Sequence, residues 1–190
     1  MEIEDYIKIY DEVIPYPMLS IFIKWINTIE FTKATVLTHD GKSVLNEKSR
    51  SVNEHALFFH SNSKTNVKWT NYLFQNFLKK SSLYCSNFIH PPQYQFINYM
   101  SILKYEKNDH YKYHTDHAPS EHRTLSLIYL LNNDYKGGNL LFTDAKTQKE
   151  EFMVEVKANR LIIWPSNFMF PHKVSPVTEG TRYSVVAWMI

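Results

Sequence analysis

Only one cysteine, Cys85, occurs among the 190 residues. That excludes an intrachain disulfide and any thiolate cluster for a metal, and it leaves Cys85 to act as a small apolar residue. Charge of one sign is lacking too: 21 Lys and Arg stand against 19 Asp and Glu, a net charge of +2. So even a balance gives no electrostatic footprint for nucleic acid. No stretch reaches the ~18 apolar residues of a membrane span. Residues 1–13 are acidic and have no long apolar centre, so a secretory signal is not expected. The expectation is a cytoplasmic protein in a reducing compartment. Repeats and low-complexity linkers are absent. Glycine is scarce, and three of the four, Gly137, Gly138 and Gly180, fall in the second half, which points to special backbone geometry at two turns there.

What is present is ordinary for a globular chain: 44% hydrophobic and 21% charged residues, with 15% aromatics. At this length one domain over residues 1–190 is expected, and its character changes near residue 95. Residues 1–95 read as a helical support region. A first helix over 17–30 places Leu19, Phe22, Ile23, Ile26 and Ile29 at helical spacing, flanked by Trp25. A second, over 66–80, carries Val67, Trp69, Tyr72, Leu73, Phe74 and Phe77 and ends in Lys79-Lys80. A short strand over 7–13 leads in, and 38–53 is polar loop or hairpin with a turn at Asp40-Gly41.

Residues 96–190 read as a succession of short strands. They are expected at 95–105, 111–116, 124–131, 139–142, 151–156, 160–164, 172–177 and 182–189. Turn signals separate them at Asn108-Asp109, Pro119-Ser120, Asn132-Asn133-Asp134, Gly137-Gly138, Pro165-Ser166 and Glu179-Gly180. Many short strands so spaced make a sandwich or an open barrel.

Four residues in this half carry chemistry: His114, Asp116, His172 and Arg182. Side chains two apart on a strand share a face, so His114 and Asp116 reach one point while Thr115 turns away. Tyr111 and Tyr113 fall with Thr115 on the opposite face. His172 lies 56 residues beyond Asp116 and must be returned by the fold. Two imidazoles and one carboxylate form the ligand set that leaves open positions on a non-haem iron. Arg182 adds a fixed cation suited to a carboxylate. Each piece alone has an ordinary reading, as a chance triplet, a core histidine or a surface arginine. The flanking His110, His117 and His122 read as surface or turn residues, and Lys173 points away from His172.

The segment from Tyr105 to the carboxyl terminus resembles the Fe(II)/2-oxoglutarate-dependent dioxygenases, particularly their prolyl 4-hydroxylase-like branch. The resemblance rests on Tyr105, on Tyr111-Lys112-Tyr113-His114-Thr115-Asp116, on Arg123-Thr124-Leu125-Ser126-Leu127-Ile128-Tyr129-Leu130-Leu131-Asn132 and on Gly137-Gly138-Asn139-Leu140-Leu141-Phe142. It continues through His172-Lys173-Val174-Ser175-Pro176-Val177 and Gly180-Thr181-Arg182-Tyr183 to Trp188. It covers nearly half the chain. The resemblance implies an α+β, mainly β fold: a double-stranded β-helix, or jelly roll, with supporting amino-terminal helices. It further implies His114, Asp116 and His172 as catalytic iron ligands and Arg182 as the partner of the distal carboxylate of 2-oxoglutarate. Tyr105 would line the co-substrate pocket, Ile128 and Leu130 would wall it, and Trp188 would lie near its floor. Leu130 replaces a tyrosine, and Leu140 a threonine, found in some relatives. Arg182 stands where collagen-type members use lysine.

By the same resemblance the cofactors are Fe(II), 2-oxoglutarate and O2, with ascorbate as reductant. The reaction is oxidative decarboxylation to succinate coupled to C–H hydroxylation, of a prolyl residue in a peptide or protein or, alternatively, of a free amino acid or other small metabolite. Asp116 leaves no ligand position for a halide, which disfavours halogenation. Trp188 occupies the place where nucleic-acid demethylases carry a second arginine, which disfavours that substrate. A non-catalytic cupin-like binding barrel would not need both the triad and Arg182.

Overall fold

The computed structural model describes residues 3–37, 41–94, 96–117, 122–147 and 149–190. The turns expected at Asp40-Gly41 and Pro119-Ser120, the loop between His117 and His122, and the start of the strand expected at residue 95 lie wholly or partly outside them.

In chain order the elements are a 3-10 turn, Ile3–Tyr6, β1 (Lys8–Asp11), α1 (Tyr16–Ile26), β2 (Thr32–Lys33), β3 (Val36–Leu37), β4 (Ser43–Val44), β5 (Arg50–Ser51), β6 (Asn53–Leu57) and α2 (Lys64–Cys85). The second half supplies β7 (Ile97–Tyr105), β8 (His110–His114), β9 (Leu125–Leu130), β10 (Lys136–Gly137), β11 (Leu140–Thr143), β12 (Glu150–Met153), β13 (Arg160–Pro165), β14 (His172–Val174), β15 (Val177–Glu179) and β16 (Arg182–Met189).

Both helices differ in length from expectation. α1 stops at Ile26 because Asn27 and Thr28 close it, with the Thr28 hydroxyl donating to Trp25 O. α2 starts earlier, where the Ser63 hydroxyl accepts from Asn66 N. It also runs past Lys79-Lys80, since its buried stripe of Trp69, Leu73 and Phe77 continues through Ser81 and Tyr84. Burial of that face outweighs the charge signal at Lys79 and Lys80.

Two antiparallel sheets face each other. The larger has the order β1-β13-β9-β16-β7-β6-β2, the smaller β12-β11-β14-β8-β5. Alternation along the central strands assigns each residue to one of two cores. On one face of the larger sheet, Ile102, Tyr129, Leu161, Ile163, Val185 and Ala187 pack beneath Phe22, Trp69, Leu73 and Phe77 of the helices. On the other, Leu103, Tyr105, Ile128, Leu130, Ile162, Trp164 and Val186 meet Leu140, Phe142 and Val174 of the smaller sheet. β9 is buried on both faces along its whole length. These layers form the jelly roll with helical support expected from the sequence.

Residues 3–94 do more than supply helices. β1 extends the larger sheet against β13, β6 extends it against β7, and β5 joins the smaller sheet against β8. Asn159 pins the lead-in: buried and at φ 65°, it accepts from Ile14 N and Tyr129 Oη and donates to Ile14 O. Asp11 takes both Arg160 Nε and Nη2, at 2.7 and 3.1 Å, and Lys157 Nζ at 2.8 Å. The Arg160 hydrogen bonds lower the Asp11 carboxyl to about 2, against burial that opposes them.

Candidate metal centre

β8 and β14 pair so that His172 lies opposite His114. The register then slips: Val174 opposes Tyr111, so three residues of β8 span the same interval as two of β14. This bulge corrects the alternation expected from the sequence. Tyr111 and His114 face the same interior, their rings stacked with centroids 3.6 Å apart, whereas strict alternation puts them on opposite faces. β8 also ends at His114, so Asp116 arrives from the following bend and Thr115 shares the cavity lining.

Asp116 Oδ1 lies 3.6 Å from His114 Nε2, and Asp116 Oδ2 lies 3.5 Å from His172 Nε2. One ligand atom from each of the three side chains falls within 4.8 Å of the others. The far nitrogens are engaged: His114 Nδ1 with Lys112 O at 2.8 Å, His172 Nδ1 with Phe170 O at 3.1 Å. Carbonyls accept only, so each Nδ1 carries a proton and leaves Nε2 as the ring atom that faces Asp116. Burial, reinforced by neighbouring His114, lowers His172 to about 4, so it is neutral at pH 7. Burial opposes the charge on Asp116, but His172, His114 and the Ser126 hydroxyl together hold its carboxyl well below the usual range. Two imidazoles presenting Nε2 and one carboxylate make a donor set for a divalent metal that fits Fe(II).

Arg182 opens β16 opposite Tyr105 and is almost wholly buried. Its Nη1 donates to Ser184 Oγ at 2.7 Å, while Nε and Nη2 have no hydrogen-bond partner among the described residues. The Tyr105 ring covers the guanidinium at 4.9 Å. A buried cation with two open donors is costly unless an anion meets it, so Arg182 fits a carboxylate co-substrate. Gly138 makes room for it. A Cβ there would fall 2.9 Å from Arg182 Cδ and 3.0 Å from Val177 Cγ2, at a backbone φ of +60°.

A cavity of about 730 Å³ opens onto the triad. Tyr105, Ile128, Val174, Val186 and Trp164 are among its inner lining, and Arg50, Glu54, Ser43, Val44, Asn46 and Ser49 bring the amino-terminal region to its wall. Leu130 is buried beside Tyr105 in the same core but is not on this lining, and Arg182 sits behind Tyr105. Trp188 lies six residues along β16 from Arg182, roughly 20 Å at the rise of a strand. It lines the same cavity as the triad, where it stacks on Tyr99 and carries the Arg123 guanidinium at 3.9 Å, and Arg123 Nη1 also donates to Asp116 O. His117 and His122 are exposed.

Ser126 and Ser166 join the site although the sequence marks neither as a site residue. Ser126 Oγ donates to Asp116 Oδ2 at 2.6 Å and lies 2.8 Å from Ser166 Oγ. The available signal was a lone hydroxyl on the inward face of β9, alternating with Ile128 and Leu130. Arg50 and Glu54 offered no such signal, because their strands are too short for periodicity.

Residues 100–190 match the model of the 2OG-Fe(II) oxygenase superfamily. A PKHD-type hydroxylase of Psychrobacter sp. (strain PRwf-1) is 34% identical over 95 residues, covering 45% of this chain and 35% of the relative. The chain thus spans about a third of that relative's length. Among solved structures, a Pseudomonas putida prolyl-4-hydroxylase superposes with a TM-score of 0.71 at 17% identity, covering 96% of this chain and 91% of the other. A Trichoplax adhaerens prolyl hydroxylase, solved with a hypoxia inducible factor oxygen degradation domain peptide fragment, gives 0.76 at 16% identity over 97% and 83%. At these identities the likeness establishes a shared fold. No described helix is long and apolar enough to cross a membrane.

Proposed function

We propose that this chain is an Fe(II)- and 2-oxoglutarate-dependent hydroxylase acting on a prolyl residue in a peptide or protein. The observation that carries the chemistry is the pairing of a compact His114–Asp116–His172 donor set with a buried, half-satisfied Arg182 one layer behind the cavity wall. The prolyl-peptide preference is supported by the hydroxylase relatives and by the fold shared with a peptide-bound prolyl hydroxylase. The cavity is also large for a small acid alone.

In this reading His114, Asp116 and His172 hold the metal from one side. The bound iron with 2-oxoglutarate and O2 supplies the oxidising power for C–H hydroxylation. The protein's own residues bind, orient and shield. Arg182, fixed by Ser184 and Gly138, takes the distal carboxylate, with Tyr105 and Ile128 confining the chain of the co-substrate. Trp164 and Phe142 pack against His172, with ring centroids at 4.9 and 5.6 Å, and keep water from that ligand. Tyr99, Trp188 and Arg123 form the outer wall that a substrate chain would cross. O2 use, ascorbate as reductant and residence in a reducing compartment, which suits the single thiol of Cys85, belong to the same proposal.

The test is mass spectrometry of proline-containing peptides and free amino acids incubated with the protein, Fe(II) and 2-oxoglutarate. A peptide product heavier by one oxygen atom, with stoichiometric succinate, is expected. Oxidation of free amino acids alone would replace the peptide reading, and no succinate with any substrate would overturn the chemistry.

A further inference from the structure

We propose that Ser126, backed by Ser166, is a positioning residue that restricts Asp116 to binding the metal through a single oxygen. The inference rests on Asp116 being a metal ligand. A carboxylate can offer a metal one oxygen or two. Here Oδ2 already accepts the Ser126 hydroxyl at 2.6 Å, short as expected for a bond to an ionised acceptor. An ionised carboxylate only accepts, so the Ser126 proton is committed to it, and the 2.8 Å contact with Ser166 must then run from the Ser166 hydroxyl to Ser126 Oγ. Each bond polarises the next.

The relay is rigid. Both serines are 1% exposed. Ser126 is fixed in β9, facing Trp164 of β13 and Trp188 of β16 across the ladders. Ser166 N donates to Thr124 O and Ser166 O accepts from His117 N, so its backbone ties the end of β13 to both His117 and Thr124. Asp116 Oδ1, the oxygen nearer His114, is left for the metal. Three protein atoms, one from each ligand, then leave three positions open, as many as a bidentate 2-oxo acid and dioxygen together require. If Oδ2 were released, the carboxylate could rotate and take up one of those positions.

The measurements are the visible spectrum and dissociation constant of the Co(II)-loaded protein, with 2-oxoglutarate turnover alongside. The variants are Ser126→Ala, Ser126→Thr and Ser166→Ala. Ser126→Ala is expected to keep Co(II) affinity within about threefold while changing the intensity of the d–d bands and lowering turnover by tenfold or more. Ser126→Thr keeps the hydroxyl and should restore both, and Ser166→Ala should fall between. Should Ser126→Ala fold poorly, Ser166→Ala leaves the contact with Asp116 in place and still tests the relay. A wild-type spectrum and wild-type turnover in folded Ser126→Ala and Ser166→Ala would overturn the proposal, whatever their melting temperatures. Failure of the unaltered protein to bind Co(II) would instead overturn the ligand assignment beneath it.

Discussion

The two faces of the larger sheet are built from the same strands yet carry different loads. The face beneath α1 and α2 is almost wholly apolar, with Phe22, Leu73, Phe77, Leu161 and Ala187 completely buried. The face toward the smaller sheet shares its interior with Asp116, His172, Arg182, Ser126 and Ser184, all buried and polar. Burying those groups opposes folding unless each is paired. The helix-side core therefore supplies the stability that lets the other face hold a partly unsatisfied set of charges.

Mutations that separate the two faces test that division. The largest effect is expected at the triad: His114→Ala or Asp116→Ala should abolish succinate formation and metal binding while the melting temperature moves by only a few degrees. Unchanged turnover in either purified variant would remove that residue from the site. Phe77→Ala, on the opposite face, should cost about 3–5 kcal/mol of stability through a cavity under α2. At a temperature where it stays folded, its apparent KM for 2-oxoglutarate should be unchanged, as read by denaturant unfolding beside kinetics. Arg182→Lys keeps the stem and the charge but loses the planar fork. The KM for 2-oxoglutarate should rise on the order of tenfold, with a smaller loss of stability than Phe77→Ala. If KM stayed put, Arg182 would be a structural cation.

The smallest effect concerns neither face but the edge where β1 joins. Asp11 has its folded pKa lowered to about 2 by Arg160. A depressed carboxylate pKa contributes stability that is present above the ordinary value near 4 and is lost as pH falls from there toward 2. Asp11→Asn should remove about 1 kcal/mol at pH 7, the modest figure reflecting partial exposure, and should flatten the stability profile across that acidic window. An unaltered profile in urea melts between pH 2 and 5 would show the ion pair to be idle.

Much of this was legible beforehand for local reasons. Strand pattern and turn signals placed eight of the ten strands from residue 97 onward to within a few residues, whereas the two-residue β10 falls where a turn was expected and the strand expected at 172–177 is divided between β14 and β15. The positive φ values of Gly137, Gly138 and Gly180 bear out the special turns expected there. The inward turn of Tyr111 was not legible, since a bulge depends on how β14 happens to pair with β8. The pairing of β3 with β4 agrees with the hairpin expected around Asp40-Gly41, but β2, β5 and β6, whose two to five residues carry no period, were not legible, nor was the end of α2, decided by what Tyr84 packs against.

By itself, then, the sequence determined the residue types that matter: two histidines and an aspartate with metal-binding chemistry, an arginine able to fork onto a carboxylate, and strands whose patterns demand two buried faces. Tertiary structure alone decided their company. It set His172 against His114, slid Tyr111 onto the interior, drew Arg50 and Glu54 to the cavity wall and hung Asp116 from Ser126 and Ser166. The reason is physical. Side-chain chemistry and backbone period are properties of neighbours along the chain, whereas register and proximity across tens of residues are set only when the sheets close and their buried polar groups must find partners.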